Sequence, residues 1–370
     1  MEKELKKLII LCGGTGGHFF PGLAVARLFI DKGGNACLIT DKYKVSYKEK
    51  YSNLYGIEIF EASSGQISKN PFKMLMSFIK FISGLFQSVR IYLKEKPDAV
   101  LAMGSYTSIP SGMAAVLMSI PLFLHDGNSV IGKANLFLSR WAKLVMTAFP
   151  PINKGTDSSK IFVTGMPLRL ELVNSSIKGK KEALELVNSK FNKTFSFEKP
   201  TILVFGGSLG AKTINTIVPE AIKICNDKEL QVIHLTGPGK SKQVSEVYER
   251  TKVNSLILEK FDDMALLYMV SDLVICRSGG STVTELEFFR KPAILIPYPY
   301  ASENHQYYNA LYYIKQGMAD VVEDKNCTSS LIAVKIVEKL KKLESLQELI
   351  PIRMKNPAEI VLEKIQSVFI

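Results

Sequence analysis

The sequence contains no uninterrupted apolar run of the roughly 18 residues that a membrane-spanning helix requires. It has no C-x-x-C pair either. Its 5 cysteines are an odd number, and Cys12, Cys37, Cys225 and Cys276 lie in or beside apolar runs, which predicts buried thiols rather than a disulfide framework. Residues 1–7 alternate in charge and lead straight into a strand-like segment, without the apolar core of a secretion signal; the pattern reads as cytosolic. No nucleic-acid-binding module or base-stacking motif is recognisable, so nucleic acid is not an expected partner. The excess of Lys and Arg, a formal net charge of +12, still favours polyanions such as anionic lipid or phosphorylated substrates. With 46% hydrophobic and 22% charged residues, the chain reads as globular rather than disordered or fibrous.

A length of 370 residues suits two domains better than one core. Short apolar runs at residues 7–12, 36–40, 57–60, 99–103, 121–125 and 143–149 read as buried strands. Helical patterns such as 21–31 and 108–119 separate several of them. A second series begins after a Lys-rich stretch, with strands at 201–205, 231–235, 255–259, 273–276 and 293–297. Helical patterns fall between these strands at 212–225, 263–270 and 282–290, and after them at 305–316. Alternation of continuous apolar strands with helices predicts parallel sheets covered on both faces. Both halves open as strand, glycine-rich turn, helix: the expected class is α/β, with two Rossmann-like doubly wound domains facing a central cleft. Gly165 and Pro167 place the boundary near residues 163–169.

Three turns can carry phosphate chemistry. The first, GGTGGH at residues 13–18, fits a dinucleotide fingerprint only loosely, and only Asp41 stands where a ribose-binding acid is needed. His18 ends it, either as a general base or phosphate donor or as a helix-start residue bonded to its own loop. The second, GGSLGA at 206–211, suits a diphosphate through its N–H groups and Ser208, or is a tight turn with a helix cap. The third, RSGGSTVTE at 277–285, opens a helix in which Glu285 either accepts from both ribose hydroxyls or belongs to a capping box with Ser281 or Thr282. Two such turns opening the two halves imply a ligand bound in a cleft.

Read in order, GGTGGHFFPGLAVA, GSYTSIPSGMAA, HDGN with KANLFLSRWAK, GMPLR, FGGSLGA, CRSGGSTVTE and HQYYNA resemble the MurG family, the peptidoglycan N-acetylglucosaminyltransferases that convert lipid I to lipid II. The resemblance implies a GT-B fold and inverting transfer from UDP-N-acetylglucosamine to the C4 hydroxyl of N-acetylmuramic acid. Residues 1–164 would then be the acceptor and membrane-facing domain, residues 165–345 the UDP-sugar domain, and residues 346–370 a helical segment able to pack back on the first. It implies no cofactor and no metal, and the chain has no D-x-D motif. The partners implied are the nucleotide sugar, the undecaprenyl-linked acceptor and the cytoplasmic face of the membrane, held peripherally.

Carried onto matching positions, the resemblance assigns Thr15, Gly16, Gly17, Asn128 and Gln306 to the donor sugar, and Arg169 and Ser208 to its diphosphate. Phe261 would offer its backbone to the uracil, while Gly280, Ser281, Thr282, Val283, Thr284 and Glu285 hold diphosphate and ribose. His18 is the candidate base, and Gly13, Gly14, Gly104, Ser105, Tyr106 and His125 fall on the acceptor side. Four positions depart from the family pattern: Gly127 for a glutamine, Met166 for an asparagine, His305 for a glutamine and Lys260 for an aromatic cap. Residues 71–94 form either a core helix or one lying on a membrane surface; the resemblance then implies part of residues 72–86 as the docking face, with Lys73 and Lys80 toward anionic headgroups. A diacylglycerol glycosyltransferase, a sugar-nucleotide epimerase and a dinucleotide oxidoreductase are the rival readings.

Overall fold

The computed structural model describes residues 4–13, 16–41, 52–65, 71–153, 155–227, 229–251, 253–343 and 355–369. The chain divides into two compact units, Met1–Leu170 with Lys355–Ile370, and Glu171–Met354. Gly165, at φ +78°, forms a corner beside Pro357 within the first unit.

The first unit holds a seven-stranded parallel sheet in the order β3-β2-β1-β4-β5-β6-β7. Its strands are β1 Lys7–Leu11, β2 Asn35–Thr40, β3 Glu58–Glu61, β4 Ala99–Ala102, β5 Leu122–Asp126, β6 Leu144–Thr147 and β7 Ile161–Val163. β1, β4 and β5 are buried almost throughout, as expected of strands covered by helices on both faces. The helix Pro357–Gln366 sets Ala358, Val361, Leu362 and Ile365 into the same core as Leu8, Leu23 and Phe29.

The second unit holds six parallel strands in the order β10-β9-β8-β11-β12-β13. They are β8 Thr201–Phe205, β9 Gln231–Leu235, β10 Asn254–Leu258, β11 Leu273–Cys276, β12 Ala293–Leu295 and β13 Ala319–Val321. In each sheet the strand order reverses direction beside the first strand, between β1 and β4 and between β8 and β11. Loops leaving the carboxyl ends there diverge and open a crevice. The glycine-rich turns follow β1 and β8, so each unit carries its phosphate-capable loop at its own switch point.

All 5 cysteines are free thiols, four buried and Cys225 half-buried, slightly more open than its apolar neighbours suggest. Burial pushes the Cys37 thiol up to about 12, which makes it a packing group rather than a nucleophile.

The helix Pro71–Glu95 changes character along its length. Its second half packs one face on the core: Ser88 Oγ lies 2.8 Å from Ser111 Oγ, and the buried Tyr92 donates to the Ser111 carbonyl at 2.9 Å, while Phe86 and Leu93 stay exposed. Its first half leaves Phe72, Leu75 and Phe78 exposed at 72%, 56% and 61%. By length and composition residues 72–95 could cross a membrane. The burial of Ser88 and Tyr92 against the helix Ser108–Leu117 ties that segment to the protein core instead.

Candidate active site

In the first unit the loop after β1 packs against the turn after β4. A Cβ on Gly13 would stand 2.3 Å from Ser105 Cβ, and one on Gly104 would stand 3.3 Å from the His18 ring. Gly104 and Ser105 both have positive φ, at +89° and +76°. For serine that backbone is strained, and such strain concentrates at binding turns. His18 is half-buried in the first turn of the helix Gly16–Asp31, with Nδ1 2.8 Å from the Met103 carbonyl. A carbonyl accepts only, so Nδ1 carries a proton toward it, and in the neutral ring Nε2 is the nitrogen that holds the lone pair. Gly16 is half-buried, Gly17 exposed and Tyr106 40% exposed. Gly14 and Thr15 lie outside the described residues.

The end of β5 builds the other wall. Asp126 is buried, and its carboxylate accepts from Asn128 N at 3.2 Å, Gly132 N at 2.8 Å and Asn135 Nδ2 at 2.9 Å. Desolvation pushes its carboxyl upward against the pull of those bonds. The network fixes the turn that presents Asn128, which is half-buried. Two departures from the family pattern meet here: a Cβ on Gly127 would stand 2.8 Å from both Cε and Sδ of Met166. The thioether thus occupies room that a side chain at 127 would need. Arg169 belongs to this unit and rests its guanidinium 5.0 Å from the Phe20 ring centre.

The second unit contains a cavity of about 580 Å³ at the β8/β11 switch point. Its walls include Gly207, Gly210, Lys212, Gly279, Thr282 and Gln306. Ser208 sits exposed at the tip of the loop. Gly280 opens the helix Gly280–Phe288, with Gly279 as N-cap and no side-chain cap. Glu285 is therefore the sixth helical residue, too far in for a capping box. Instead its buried carboxylate accepts from Tyr268 Oη at 2.9 Å. Val283 and Thr284 turn their side chains into the core, and Thr284 Oγ1 bonds back to the Gly280 carbonyl at 3.1 Å, so any ligand role of theirs runs through the backbone. Ser281 is half-buried in the first turn. Gln306 accepts from Tyr298 N at 2.9 Å through Oε1, which fixes the amide with Nε2 as a remaining donor group. Phe261 packs edge-on to Phe191 at 5.6 Å, with Lys190 Nζ 5.0 Å from its ring centre. Arg277, Tyr298, Tyr300 and Asp324 line the same cavity without having been singled out as binding residues by the sequence. Arg277 is the first residue of the third motif and was within reach of sequence reasoning; Asp324 had no local signal.

Two buried histidines couple stability to pH. His125 donates through Nε2 to the Gly165 carbonyl at 2.9 Å, and burial lowers its pKa from 6.5 to about 4. His234, between Tyr248 Oη and Asn215 Oδ1 at 3.1 Å each, is lowered by burial to about 3. Below pH 6.5 the unfolded chain binds protons that these folded sites refuse, so stability is full above that pH and falls as acid is added. His125 alone predicts a loss of about 3 kcal/mol in the first unit between pH 6.5 and about 4. Thermal melts across that window, with a His125→Asn variant showing a flatter dependence, check the prediction.

Residues 8–147 match the glycosyltransferase family 28 N-terminal domain and residues 201–363 its C-terminal domain. A Psychromonas ingrahamii protein named UDP-N-acetylglucosamine–N-acetylmuramyl-(pentapeptide) pyrophosphoryl-undecaprenol N-acetylglucosamine transferase is 35% identical over 334 residues, covering 90% of this chain and 88% of its own. A Thermodesulfovibrio yellowstonii protein of the same name is 34% identical, over 93% and 92% of the two chains. The crystal structure of Acinetobacter baumannii MurG superposes with a TM-score of 0.77 at 27% identity, covering 98% of this chain and 99% of that one. A Neisseria meningitidis UDP-N-acetylglucosamine 2-epimerase shares the fold at 13% identity and a TM-score of 0.64, over 98% and 100% of the chains. Two parallel-sheet units, each with a glycine turn at its switch point, and this full-length similarity give one assignment: the chain has the GT-B fold and belongs to the MurG family of glycosyltransferases.

Proposed function

We propose that the protein transfers N-acetylglucosamine from UDP-N-acetylglucosamine to the C4 hydroxyl of N-acetylmuramic acid in lipid I, forming lipid II, with inversion at the anomeric carbon. The cavity at the β8/β11 switch point supports this reading, because it is lined by Thr282 and Gln306, two positions that the family resemblance assigns to the donor, and by the glycine loop after β8. Glycine-loop amides and the start of the helix Gly280–Phe288 suit the diphosphate, and the buried Glu285 suits the ribose. Phe261 is assigned to the uracil, and Gln306, Gly16, Gly17 and Asn128 to the sugar. His18 Nε2 takes the proton of the acceptor hydroxyl as its oxygen bonds to the anomeric carbon. The bond from that carbon to the β-phosphate oxygen breaks, and its electrons leave on UDP. Transfer of labelled sugar to a lipid I analogue, with diacylglycerol as the control acceptor, tests the assignment. Product from lipid I alone supports it. Glycosylated diacylglycerol, or conversion of the nucleotide sugar without any acceptor, turns the reading to the lipid transferase or the epimerase.

The acceptor's lipid requires a place on the membrane, and the exposed first half of the helix Pro71–Glu95 supplies one on the first unit. Phe72, Leu75 and Phe78 offer the apolar contact, and the exposed Lys73 and Lys80 suit anionic headgroups at a peripheral, cytoplasmic-face site. Phe81 is half-buried, so the test belongs on its exposed neighbours. Phe72→Asp with Phe78→Asp lowers partitioning onto anionic vesicles by about tenfold or more, since each change removes apolar contact and adds repulsion. Unchanged vesicle binding by a variant with the parent's melting temperature sinks the docking assignment.

A further inference from the structure

Arg277 and Asp324 face each other in the wall of the second unit's cavity. Arg277 Nη1 donates to the Ile296 and Pro297 carbonyls at 3.0 and 2.9 Å and lies 2.6 Å from Asp324 Oδ2. The two side chains are only 11% and 19% exposed. The other carboxylate oxygen, Oδ1, accepts from Thr213 Oγ1 at 3.1 Å, in the first turn of the helix Lys212–Cys225. One carboxylate therefore touches both phosphate-capable elements of the cavity, the helix after the glycine loop and the segment leaving β11. Two main-chain carbonyls already hold the guanidinium in place, so its position does not rest on Asp324 alone. What Asp324 does decide is charge: beside Arg277 it cancels most of the field that an incoming anion would feel, in a wall where water screens weakly.

We infer that Asp324 is the counter-charge of the diphosphate subsite. Arg277 draws the phosphates of a nucleoside diphosphate into the cavity, and Asp324 moderates that attraction so that the diphosphate product leaves. A direct contact to the phosphates gives Arg277 a binding role, whereas Asp324 acts through Arg277 and through its own repulsion of the anion. The inference rests on the donor reading above and adds to it the element that sets product release.

Calorimetric titration of the full-length protein with UDP and with uridine separates charge from packing. Asp324→Asn keeps the shape and the acceptor for Thr213 but removes the charge. It is expected to bind UDP about tenfold more tightly, with uridine unchanged and product inhibition by UDP strengthened by the same factor. Asp324→Glu retains the charge and is expected to stay within about twofold of the parent for UDP. Arg277→Met is expected to bind UDP at least about tenfold more weakly, again with uridine unchanged. Unchanged or weaker UDP binding by Asp324→Asn, tightening by Asp324→Glu as well, or parallel shifts in UDP and uridine each overturn the inference while leaving the donor reading in place. Failure of the parent protein to bind UDP removes the donor reading and this inference with it.

Discussion

Replacing His18 with alanine lowers kcat for sugar transfer by about 10²–10⁴-fold and leaves UDP binding unchanged, because a positioned general base contributes on that scale. The expectation comes from the tautomer. Nδ1 lies 2.8 Å from a carbonyl that can only accept, which leaves Nε2 as the basic nitrogen. The ring is also held in place: the first-turn backbone carries it, and a Cβ on Gly104 would stand only 3.3 Å from it, so a larger residue there would crowd the ring. A positional role makes a different prediction. Asparagine at 18 can still donate to the Met103 carbonyl but cannot accept a proton near neutral pH. If His18→Asn recovers most of the activity lost in His18→Ala, the residue orders the loop and is not the base. If both variants are equally slow while lipid I binding persists, the base assignment holds.

Much of this architecture was legible from residue pattern, and the exceptions share a cause. The central strands read clearly because a parallel sheet covered on both faces makes them continuously apolar: the segments 201–205, 231–235 and 273–276 are the strands observed. The strands that escaped are β7 Ile161–Val163 and β13 Ala319–Val321, at the sheet edges: three residues are too short a run to stand out, and Asp320 also interrupts β13. The glycine turns were legible because backbone conformation is a local property. Contacts made by distant residues were not. Gly127 and Met166 read as two unrelated departures until their close approach joins them. Asp324 reaches Thr213 across 111 positions of sequence, and no window of residues could reveal that pair. The site was thus readable where it is built from turns, and hidden where residues distant in sequence complete it.

Gly210→Ala is expected to be the most damaging single-methyl change in the second unit. The residue has φ +69°, and a Cβ there would stand 1.9 Å from the Thr236 carbonyl oxygen, inside any tolerable contact. Relief by moving the strand end is blocked. Thr236 N is bonded to the Leu258 carbonyl, its own carbonyl accepts from Asn215 Nδ2 at 2.9 Å, and a Cβ on Gly237 would itself stand 2.5 Å from Gly210 N. The two loops are packed backbone to backbone, so the strain cannot be dispersed through a flexible side chain. A left-handed alanine and the clash together cost about 3–5 kcal/mol, which lowers the melting temperature of this unit by roughly 10 °C. Whatever folds must also reshape the loop that lines the cavity, so UDP affinity falls by about 100-fold or more while the first unit melts unchanged. Gly207→Ala is the informative control. It shares a positive φ, at +92°, but its Cβ would meet nothing within 4 Å. Its cost is backbone strain alone, about 1–3 kcal/mol. Equal damage from the two substitutions, measured by calorimetry and UDP titration, would show that the loop's conformation and not its contact with Gly237 holds the donor cradle open.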